Sequence, residues 1–512
     1  MLRPDSRVHQ SGAENMLDYI AERTDSFIST QPKDIRKSFG QFFTSKATAR
    51  FMAELFAVPK NDCIRILDPG AGTGILSAAV IEAIDKHHPA IKKAELTCYE
   101  TNSDVIPLLE QNMAFIKRSA RVELNIKIIK ENYLLSQAED FSHAAFISAT
   151  QEKYDMVIGN PPYFKLAKDA PEALAMPEIC HGTPNVYFLF AAMSLFNLRE
   201  GGEMVYIIPR SWTSGAYFSR FRNYLLHHGK LTDIHVFANR KKIFDKENIL
   251  QETIIIKIQK TQNVPTSVKI TSSADSASLE KISELNVPYS TVVSGKEYYV
   301  HLVTSKEEAD ALRKVNAFTQ SLPSIGLKMK TGLTVDFRNR ELLRNYCGEH
   351  VVPLFYSQHI KNGRVIFPIG RENEYISDEL PSMVQHNRNY LFVKRFTAKE
   401  EKRRLQCAVY LSNRYPEYQK ISTQNKINFI DTTDDSEMSE ELVCGLYIVL
   451  NSTLYDMYYR ILNGSTQVNA TEMNTIPIPV RSDLEYLGQK LMEFGDYSTK
   501  NCDKILEEAI YA

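Results

Sequence analysis

Short apolar runs alternate with longer amphipathic segments between about residues 64 and 260. The spacing of apolar positions predicts helices over 75–87, 105–118 and 185–198. The short runs predict seven strands: IRILD (64–68), AELTCYE (94–100), NIKIIK (125–130), YDMVIGN (154–160), EMVYIIP (203–209), KLTDIHVF (230–237) and ETIIIKI (252–258). This alternation predicts an α/β fold, in which helices cover both faces of a mostly parallel sheet.

The alternation is lost on either side of this region. Residues 10–38 have a helical pattern and lead into the segment FGQFFTS (39–45). Residues 260–278 are rich in Ser, Thr and small polar residues, which predicts a connector or surface loop, and we place the connector over 261–289. The rest of the chain mixes short strands and helices. We therefore expect a first domain over 1–260, a connector, and a second domain of α+β type over 290–512.

Composition restricts the class of protein. The chain has 512 residues, more than one compact core usually holds. Its 61 basic and 62 acidic residues give a net charge of -1. This excludes a strongly basic protein that binds a polyanion through its overall charge, but a local basic face can still bind one. No apolar stretch is long enough for a membrane span, and the N-terminus lacks the apolar segment of a secretory signal. The 7 cysteines form no CxxC pair, so we expect a cytoplasmic protein without disulfides or a metal site.

The motif DPGAGTG (68–74) follows the first predicted strand and opens a helix. Its glycines, Gly70, Gly72 and Gly74, permit a tight turn and a close approach of the backbone to a ligand. It is not a Walker loop, because no Gly-Lys-Ser/Thr sequence follows. Asp68 would repel a phosphate but suits a cationic amino-acid moiety. Taken alone, the motif is equally typical of an ordinary glycine-rich turn.

Two further features stand at the ends of predicted strands. Glu100 ends the second strand, where a carboxylate can accept hydrogen bonds from a ribose diol, although a solvated charge is the alternative. Asn160, Pro161, Pro162 and Tyr163 follow the fourth strand. Two prolines remove two N–H donors and leave carbonyls free, so the Asn160 and Pro161 oxygens can accept from one –NH₂ group. Tyr163 offers a ring for base stacking, while a structural Pro-Pro turn is the alternative.

In this order, FGQFFTS, DPGAGTG, the strand-end Glu and NPPY resemble the gamma-type adenine-N6 DNA methyltransferases of type II restriction–modification systems, the TaqI and PstI kind. The resemblance covers about residues 36–260 and continues more loosely in 351–365, 422–426 and 450–479. It implies a Rossmann-like sheet that binds S-adenosyl-L-methionine (AdoMet), and a C-terminal target-recognition domain over 290–512. It also implies methyl transfer to the N6 amino group of a flipped-out adenine in double-stranded DNA, with S-adenosyl-L-homocysteine as product.

The resemblance further implies roles for single residues. Thr44 would contact the methionine carboxylate of AdoMet, Asp68 would face its amino group, and Glu100 would hold its ribose hydroxyls. The three glycines would shape the pocket. Near the adenine ring of the cofactor the family usually has Asp followed by an aromatic residue, whereas this chain has Asn132 and Tyr133. Because Asn can donate or accept, the atom that it contacts stays open.

The implied chemistry needs neither a metal ion nor a covalent intermediate. The Asn160 side chain and the Pro161 carbonyl would localise the lone pair of the adenine amino nitrogen. Because the methyl group of AdoMet is already activated, the reaction needs the two reactants to be positioned in line more than it needs a general base. Phe244 would sandwich the flipped base together with Tyr163, unless it only anchors its loop. A stacking role predicts that Tyr163→Phe keeps most of the activity and that Tyr163→Ala or Phe244→Ala weakens it.

DNA contacts are expected in the second domain. The segment KRFTAKEEKRR (394–404) has six basic and two acidic residues, a pattern that suits phosphate contacts or a solvated helix face. The polar segments 329–340 and 463–474 are further candidates. The residues that we predict to bind DNA are Lys394, Arg395, Lys402, Arg403 and Arg404.

Other classes share parts of this pattern. NPPY suits any planar –NH₂ substrate, so a protein glutamine methyltransferase and an RNA adenine methyltransferase stay open, as does an inactive DNA-binding module. A bifunctional nuclease, or a subunit that needs a separate specificity chain, would place a large domain ahead of Thr44, where about 40 residues stand. We expect a monomer in a bacterial or archaeal cytoplasm. A cognate restriction endonuclease would be a functional partner and not a physical one.

Overall fold

The computed structural model describes residues 16–30, 32, 43–57, 61–142, 153–237, 253–276, 278–397, 401–463 and 466–510. The chain divides into two compact units, Met1–Thr304 and Ser305–Ala512. We refer to them as the N-terminal unit and the C-terminal unit. None of the helices in the described ranges is long and apolar enough to cross a membrane.

Among the described residues of the N-terminal unit, nine strands form one mixed sheet in the order β3-β2-β1-β4-β5-β7-β6-β8-β9. The strands are β1 (Cys63–Asp68), β2 (Lys93–Tyr99), β3 (Glu123–Ile129), β4 (Tyr154–Gly159), β5 (Leu198–Pro209), β6 (Lys230–Phe237), β7 (Thr253–Gln259), β8 (Ser267–Ser273) and β9 (Ser283–Pro288). The pairs from β3 to β5 are parallel, and β7 runs antiparallel to both β5 and β6. The seven predicted strands are confirmed.

Helices pack on both faces of this sheet, as predicted. Val205 and Ile207 of β5 belong to the apolar core that the first four helices share. Tyr206, between them, points to the opposite face, where its hydroxyl lies 2.7 Å from Ser194 Oγ. The helices of this unit are α1 (Met16–Thr30), α2 (Lys46–Glu54), α3 (Ile75–His87), α4 (Ile106–Ser119), α5 (Tyr133–Ser136), α6 (Ala138–Ser142), α7 (Pro171–Ala175), α8 (Val186–Asn197), α9 (Ser219–His228) and α10 (Tyr289–Val292).

The predicted connector, residues 261–289, is part of the sheet instead. β8 pairs in parallel with β6, and β9 pairs with β8. A short hairpin of β10 (Val293–Ser294) and β11 (Tyr299–Val300) follows, and the N-terminal unit ends at Thr304. In β8, buried Val268 and Ile270 alternate with partly exposed polar residues, so the composition is that of a loop although the period is that of a strand.

The C-terminal unit has the predicted α+β composition. Within its described residues there are two larger sheets, in the orders β12-β22-β19-β20-β16-β15 and β13-β17-β14-β21-β18. The strands are β12 (Leu327–Thr331), β13 (Leu343–Arg344), β14 (Val351–Phe355), β15 (Ile360–Lys361), β16 (Arg364–Val365), β17 (Tyr375–Ser377), β18 (Gln385–His386), β19 (Tyr390–Lys394), β20 (Cys407–Tyr410), β21 (Lys420–Thr423) and β22 (Ile427–Thr432). The helices are α11 (Lys306–Asn316), α12 (Glu440–Asn451), α13 (Thr453–Leu462), α14 (Ala470–Met473), α15 (Arg481–Phe494) and α16 (Thr499–Ile510).

Candidate functional site

A cavity of about 310 Å³ lies where β1, β2 and β4 end. Parallel strands bring their carboxyl ends to one edge of a sheet, so segments far apart in sequence meet there. The predicted site residues that line the cavity are Thr44, Gly70, Gly72, Glu100, Asn132, Tyr133, Asn160 and Pro162. Asp68, Gly74, Pro161 and Tyr163 do not line it. Phe244 lies outside the described residues.

The glycine motif forms the turn between β1 and α3. Gly72 and Gly74 have φ angles of 54° and 86°, in the left-handed region that favours glycine. A Cβ atom at Gly74 would overlap Met113 Cε and lie 3.1 Å from Leu109 Cδ1, both on α4. Gly74 therefore permits both the backbone turn and the close packing of the turn against α4.

The Glu100 carboxylate ties the end of β2 to this turn. Gly72 N–H donates to Oε2 at 2.9 Å, and the N–H groups of Thr101 and Asn102 donate to Oε1 at 2.8 Å each. A carboxylate has about four lone-pair directions, so Oε2 retains one for a further donor. Burial raises the pKa of Glu100, and the three backbone N–H groups lower it in part.

Asp68, at the end of β1, is fully buried. The Ser77 hydroxyl donates to Oδ2 at 2.8 Å, and Oδ1 has no hydrogen-bond partner among the described residues. Burial raises the pKa of Asp68 to about 7; the Ser77 hydroxyl opposes this shift, and the charge of Glu100 adds to it. Because Asp68 does not line the cavity, its implied contact with the amino group of a ligand is not formed by its present position.

Two hydroxyl groups hold the side chain of Asn160, the residue that follows β4. Asn160 Nδ2 donates to Thr44 Oγ1 at 3.1 Å, and the Tyr163 hydroxyl donates to Asn160 Oδ1 at 2.6 Å. The Pro161 carbonyl accepts no hydrogen bond from the residues that the structure describes. The amide of Asn160 is therefore held in one orientation at the cavity wall.

Tyr163 differs from the expectation of a stacking ring. It is 8% exposed, and its hydroxyl also lies 2.8 Å from the carbonyl oxygen of Ile207. The edge of Tyr187 meets its ring at 6.1 Å, and burial raises the pKa of the Tyr163 phenol well above its ordinary value. A stacked base needs an accessible ring face, which a buried ring does not offer. The neighbouring Phe164 lines the cavity and is 39% exposed.

Asn132 is the N-cap of the short helix α5. Its Oδ1 accepts hydrogen bonds from the N–H groups of Leu134 and Leu135, at 3.0 and 3.2 Å. Its Nδ2 donates to Glu172 Oε1 at 2.8 Å. Glu172 comes from α7, lines the cavity, and belongs to no motif in the sequence. Nothing in its surroundings along the chain marks it as a site residue.

Aromatic side chains form part of the cavity wall. The buried ring of Tyr133 meets Tyr99 edge-on at 5.1 Å and Phe190 at 5.5 Å, and all three line the cavity. Asn197 Nδ2 donates to the Tyr133 hydroxyl at 3.0 Å. Tyr99 and Phe190 were not predicted. Phe190 lies in an apolar run typical of core residues, whereas Tyr99 directly precedes Glu100, a position that could have identified it. Phe43 also lines the cavity, and its position beside Thr44 was the signal that could have identified it.

The predicted DNA-binding residues have unequal positions in the C-terminal unit. Lys394 ends β19 and donates to Gln406 Oε1 at 2.8 Å, whereas Lys402 is exposed. Arg404 is 1% exposed, and its backbone N–H donates to Asp456 Oδ1 at 2.7 Å. A buried guanidinium does not reach a phosphate, so the prediction for Arg404 is corrected to a structural role.

The two other arginines of this segment are partly exposed and already bonded within the unit. Arg395 donates to the Asn425 carbonyl at 3.1 Å, and Arg403 donates to the Ser452 carbonyl at 3.1 Å. The described part of 394–404 contains no helix, so the alternative of a solvated helix face does not hold there. Among the described residues, no group of three or more His, Cys, Asp or Glu is placed to hold a metal ion.

Comparisons with known proteins agree on one family. The family model of the Eco57I restriction-modification methylase matches residues 81–244. The type II methyltransferase M.PstI of Providencia stuartii is 32% identical over 507 residues, which cover 97% of each chain. The type II methyltransferase M.BsuBI of Bacillus subtilis is 33% identical over 482 residues, covering 93% of this chain and 94% of its own.

Solved structures extend the comparison to the fold. The type IIL restriction-modification enzyme MmeI, solved in complex with DNA, superposes with a TM-score of 0.52 at 12% sequence identity. The match covers 96% of this chain and 73% of that chain. At this identity the likeness concerns the fold alone.

Proposed function

The chain belongs to the type II methyltransferases of restriction–modification systems, and from that membership we propose that it methylates the N6 amino group of adenine in double-stranded DNA. AdoMet is the methyl donor on which the family depends. The gamma-type order of motifs, with NPPY after β4, supports an amino nitrogen as the target. Protection of host DNA beside a cognate endonuclease, action as a monomer, and a cytoplasmic location are parts of the same proposal.

The observation that carries the proposal is the fixed amide of Asn160 at the cavity wall. An adenine amino nitrogen is a poor nucleophile because its lone pair is delocalised into the ring. Asn160 Oδ1 and the Pro161 carbonyl would each accept one of its two N–H bonds and so localise the lone pair on the nitrogen. Thr44 and Tyr163 keep the amide in place, so little reorganisation is needed during the reaction.

The cavity residues fit AdoMet. The remaining acceptor direction of Glu100 suits a ribose hydroxyl, and the rings beside Tyr133 suit a flat heterocycle. Burial raises the pKa of Asp68 to about 7, and a cationic ligand nearby would favour its ionised form, whose Oδ1 lacks a partner among the described residues. When bound, AdoMet supplies a methyl group that its sulfonium charge already activates. The residues of this chain bind and orient the two reactants.

The target nitrogen lies inside a duplex, so the adenine must leave the base stack to reach Asn160. Unstacking and unpairing cost roughly a few kcal/mol. Phe164, which is exposed and lines the cavity, would offset roughly 1–3 kcal/mol by stacking. Phe244 stays a prediction for the second ring of such a sandwich.

Transfer of tritium from labelled AdoMet tests the proposed substrate. We expect label in duplex DNA and not in RNA or protein, and N6-methyladenine after digestion to nucleosides. N4-methylcytosine, or label in RNA or in protein glutamine, would contradict the proposal.

Replacement of the central residue tests the mechanism. Asn160→Ala should lower kcat by at least roughly 100-fold, because one of two acceptors is lost, while S-adenosyl-L-homocysteine binds as before. Asn223→Ala, at an exposed position of α9, is the matched control. Full activity of Asn160→Ala would contradict the mechanism.

A further inference from the structure

The cavity contains one carboxylate that the proposed transfer does not use. Glu172 lies in the first turn of α7, which begins at Pro171, and is partly buried. Asn132 Nδ2 donates to its Oε1 at 2.8 Å. Among the described residues, no donor contacts Oε2. Glu172 therefore presents one oxygen that is fixed and one that can accept a further hydrogen bond.

The amide that fixes Glu172 is itself held at both ends. Asn132 Oδ1 accepts two backbone N–H groups at the start of α5, so the amide cannot turn without loss of the helix cap. Nδ2 consequently points to Glu172. A carboxylate at position 132 could also cap α5, but its second oxygen would then face the Glu172 carboxylate without a proton between them. Asn at 132, and not Asp, is therefore compatible with an ionised carboxylate at 172.

The surroundings of this pair suit a flat heterocycle. Tyr133 follows Asn132 directly, and its ring contacts Tyr99 and Phe190 at the same cavity. Aromatic walls offer contact area to a ring system but no strong acceptor. An exocyclic amino group that enters such a site needs an acceptor at the rim of the ring plane, and a carboxylate is the strongest one available.

From this geometry we infer that Glu172, positioned by Asn132, accepts the exocyclic amino group of the adenine ring of AdoMet. The inference rests on the proposed function, because it takes AdoMet as the cofactor. It makes Glu172 a determinant of cofactor selectivity: the site favours a 6-amino purine and disfavours a 6-oxo purine, whose oxygen would face the carboxylate. Glu100 does not take this role, because three backbone N–H groups already occupy most of its acceptor directions.

Calorimetric binding of two nucleosides, without DNA, tests the inference. S-adenosyl-L-homocysteine has the 6-amino group, and S-inosyl-L-homocysteine has an oxygen in its place. The wild-type protein should bind the adenosyl compound more tightly by roughly 10- to 100-fold, the range expected for a hydrogen bond to a charged group. Glu172→Gln should reduce this ratio by roughly tenfold or more, because an amide can donate to the 6-oxo group.

Two variants complete the test. Glu178→Gln, in the exposed loop after α7, should leave both affinities unchanged. The exchange Asn132→Asp with Glu172→Gln restores one amide facing one carboxylate and leaves the amide oxygen at position 172 as a neutral acceptor for the ligand, so it should recover part of the lost ratio. Equal ratios in the wild type and Glu172→Gln, with the adenosyl compound still bound, would overturn the inference alone. Failure of the wild type to bind S-adenosyl-L-homocysteine would overturn the proposed function as well.

Discussion

At the scale of single residues, the hydroxyl of Tyr163 has a clearer role than its ring. Together with Thr44 it fixes the amide of Asn160, the group on which the proposed transfer depends. Preorganised acceptors lower a barrier because they do not have to be oriented during the reaction. The sequence alone assigned Tyr163 to stacking, since a hydrogen bond three residues back along the chain depends on how the two prolines turn the backbone.

The conservative variant Tyr163→Phe separates these two roles. It keeps the ring and removes the hydroxyl, so we expect kcat to fall roughly tenfold, for the loss of about 1.4 kcal/mol of hydrogen bonding, with KM for DNA nearly unchanged. Tyr187→Phe, which removes only a 3.5 Å contact with Ser211 Oγ, serves as the control. Wild-type kcat in Tyr163→Phe would show that the hydroxyl does not contribute to the positioning of Asn160.

Asp68 makes the stability of the fold depend on pH. Burial raises its pKa from 3.8 to about 7, so the folded chain holds this proton more tightly than the unfolded chain. The resulting stabilisation is complete below the unfolded pKa and is lost as the pH rises through about 7. Asp68→Asn removes the ionisable group. Its free energy of unfolding, relative to that of the wild type, should therefore increase by up to about 4 kcal/mol between pH 4 and pH 8.

Thermal unfolding of both proteins at pH 5 and pH 8 measures this dependence. The midpoint of the wild type should fall relative to that of Asp68→Asn as the pH rises. Asp104→Asn, at an exposed position, should follow the wild type at both values. If the difference between the midpoints of the wild type and Asp68→Asn is the same at both pH values, Asp68 does not hold its proton near neutral pH.

At the scale of elements, the glycine turn connects four of them. It joins β1 to α3, binds the end of β2 through Gly72 N–H and Glu100, and lets Gly74 pack against α4. The shape of the cavity beside this turn therefore depends on the packing of Gly74 against α4 as well as on the turn itself.

Gly74→Ala tests this connection. Alanine at this position would have to adopt the positive φ of Gly74, and its methyl group would displace Met113. We therefore expect the free energy of unfolding to fall by roughly 2–4 kcal/mol. Gly70→Ala is the matched control, because its added Cβ would lie 3.7 Å from Phe190 Cε1, an ordinary contact. Thermal denaturation compares the two variants, and equal midpoints would contradict the packing argument.

The elements that sequence analysis predicted are those with the strongest pattern. β4 and β7 are buried on both faces and appear as continuous apolar runs. β1, β2 and β4 end in recognisable motifs. β8 and β9 lie at the sheet edge, where polar residues alternate with apolar ones and resemble a loop. Glu172 and Phe190 were not predicted as site residues, because only the folded chain brings α7 and α8 to the cavity.

At the scale of the whole molecule, the near-neutral charge limits how DNA can be held. In the described part of segment 394–404, Lys402 is exposed, while Arg404 is buried and Arg395 is bonded to the backbone of its own unit. Binding through a few exposed cations gives a moderate salt dependence, which lets an enzyme leave non-target DNA.

Lys402→Gln tests whether this segment contacts phosphate. Affinity for duplex DNA should fall by a similar factor for every sequence, and the slope of log K against log salt should decrease by about one. Lys490→Gln, on α15, removes a charge that is paired with Glu493 and is the control. A slope identical to that of the wild type would exclude Lys402 from the DNA contact.

The extension of the sheet by β8 and β9 decides where C-terminal units can be exchanged between relatives. A chimaera joined near residue 260 would take β8 from the other parent, and where that strand does not match the register of β6, the edge of β6 beside buried Leu231 and Ile234 stays open. Such an open edge is a template for aggregation. A junction at Thr304–Ser305 leaves the sheet intact, so exchange of C-terminal units among these enzymes should give folded proteins at that position and fail 40 or so residues earlier.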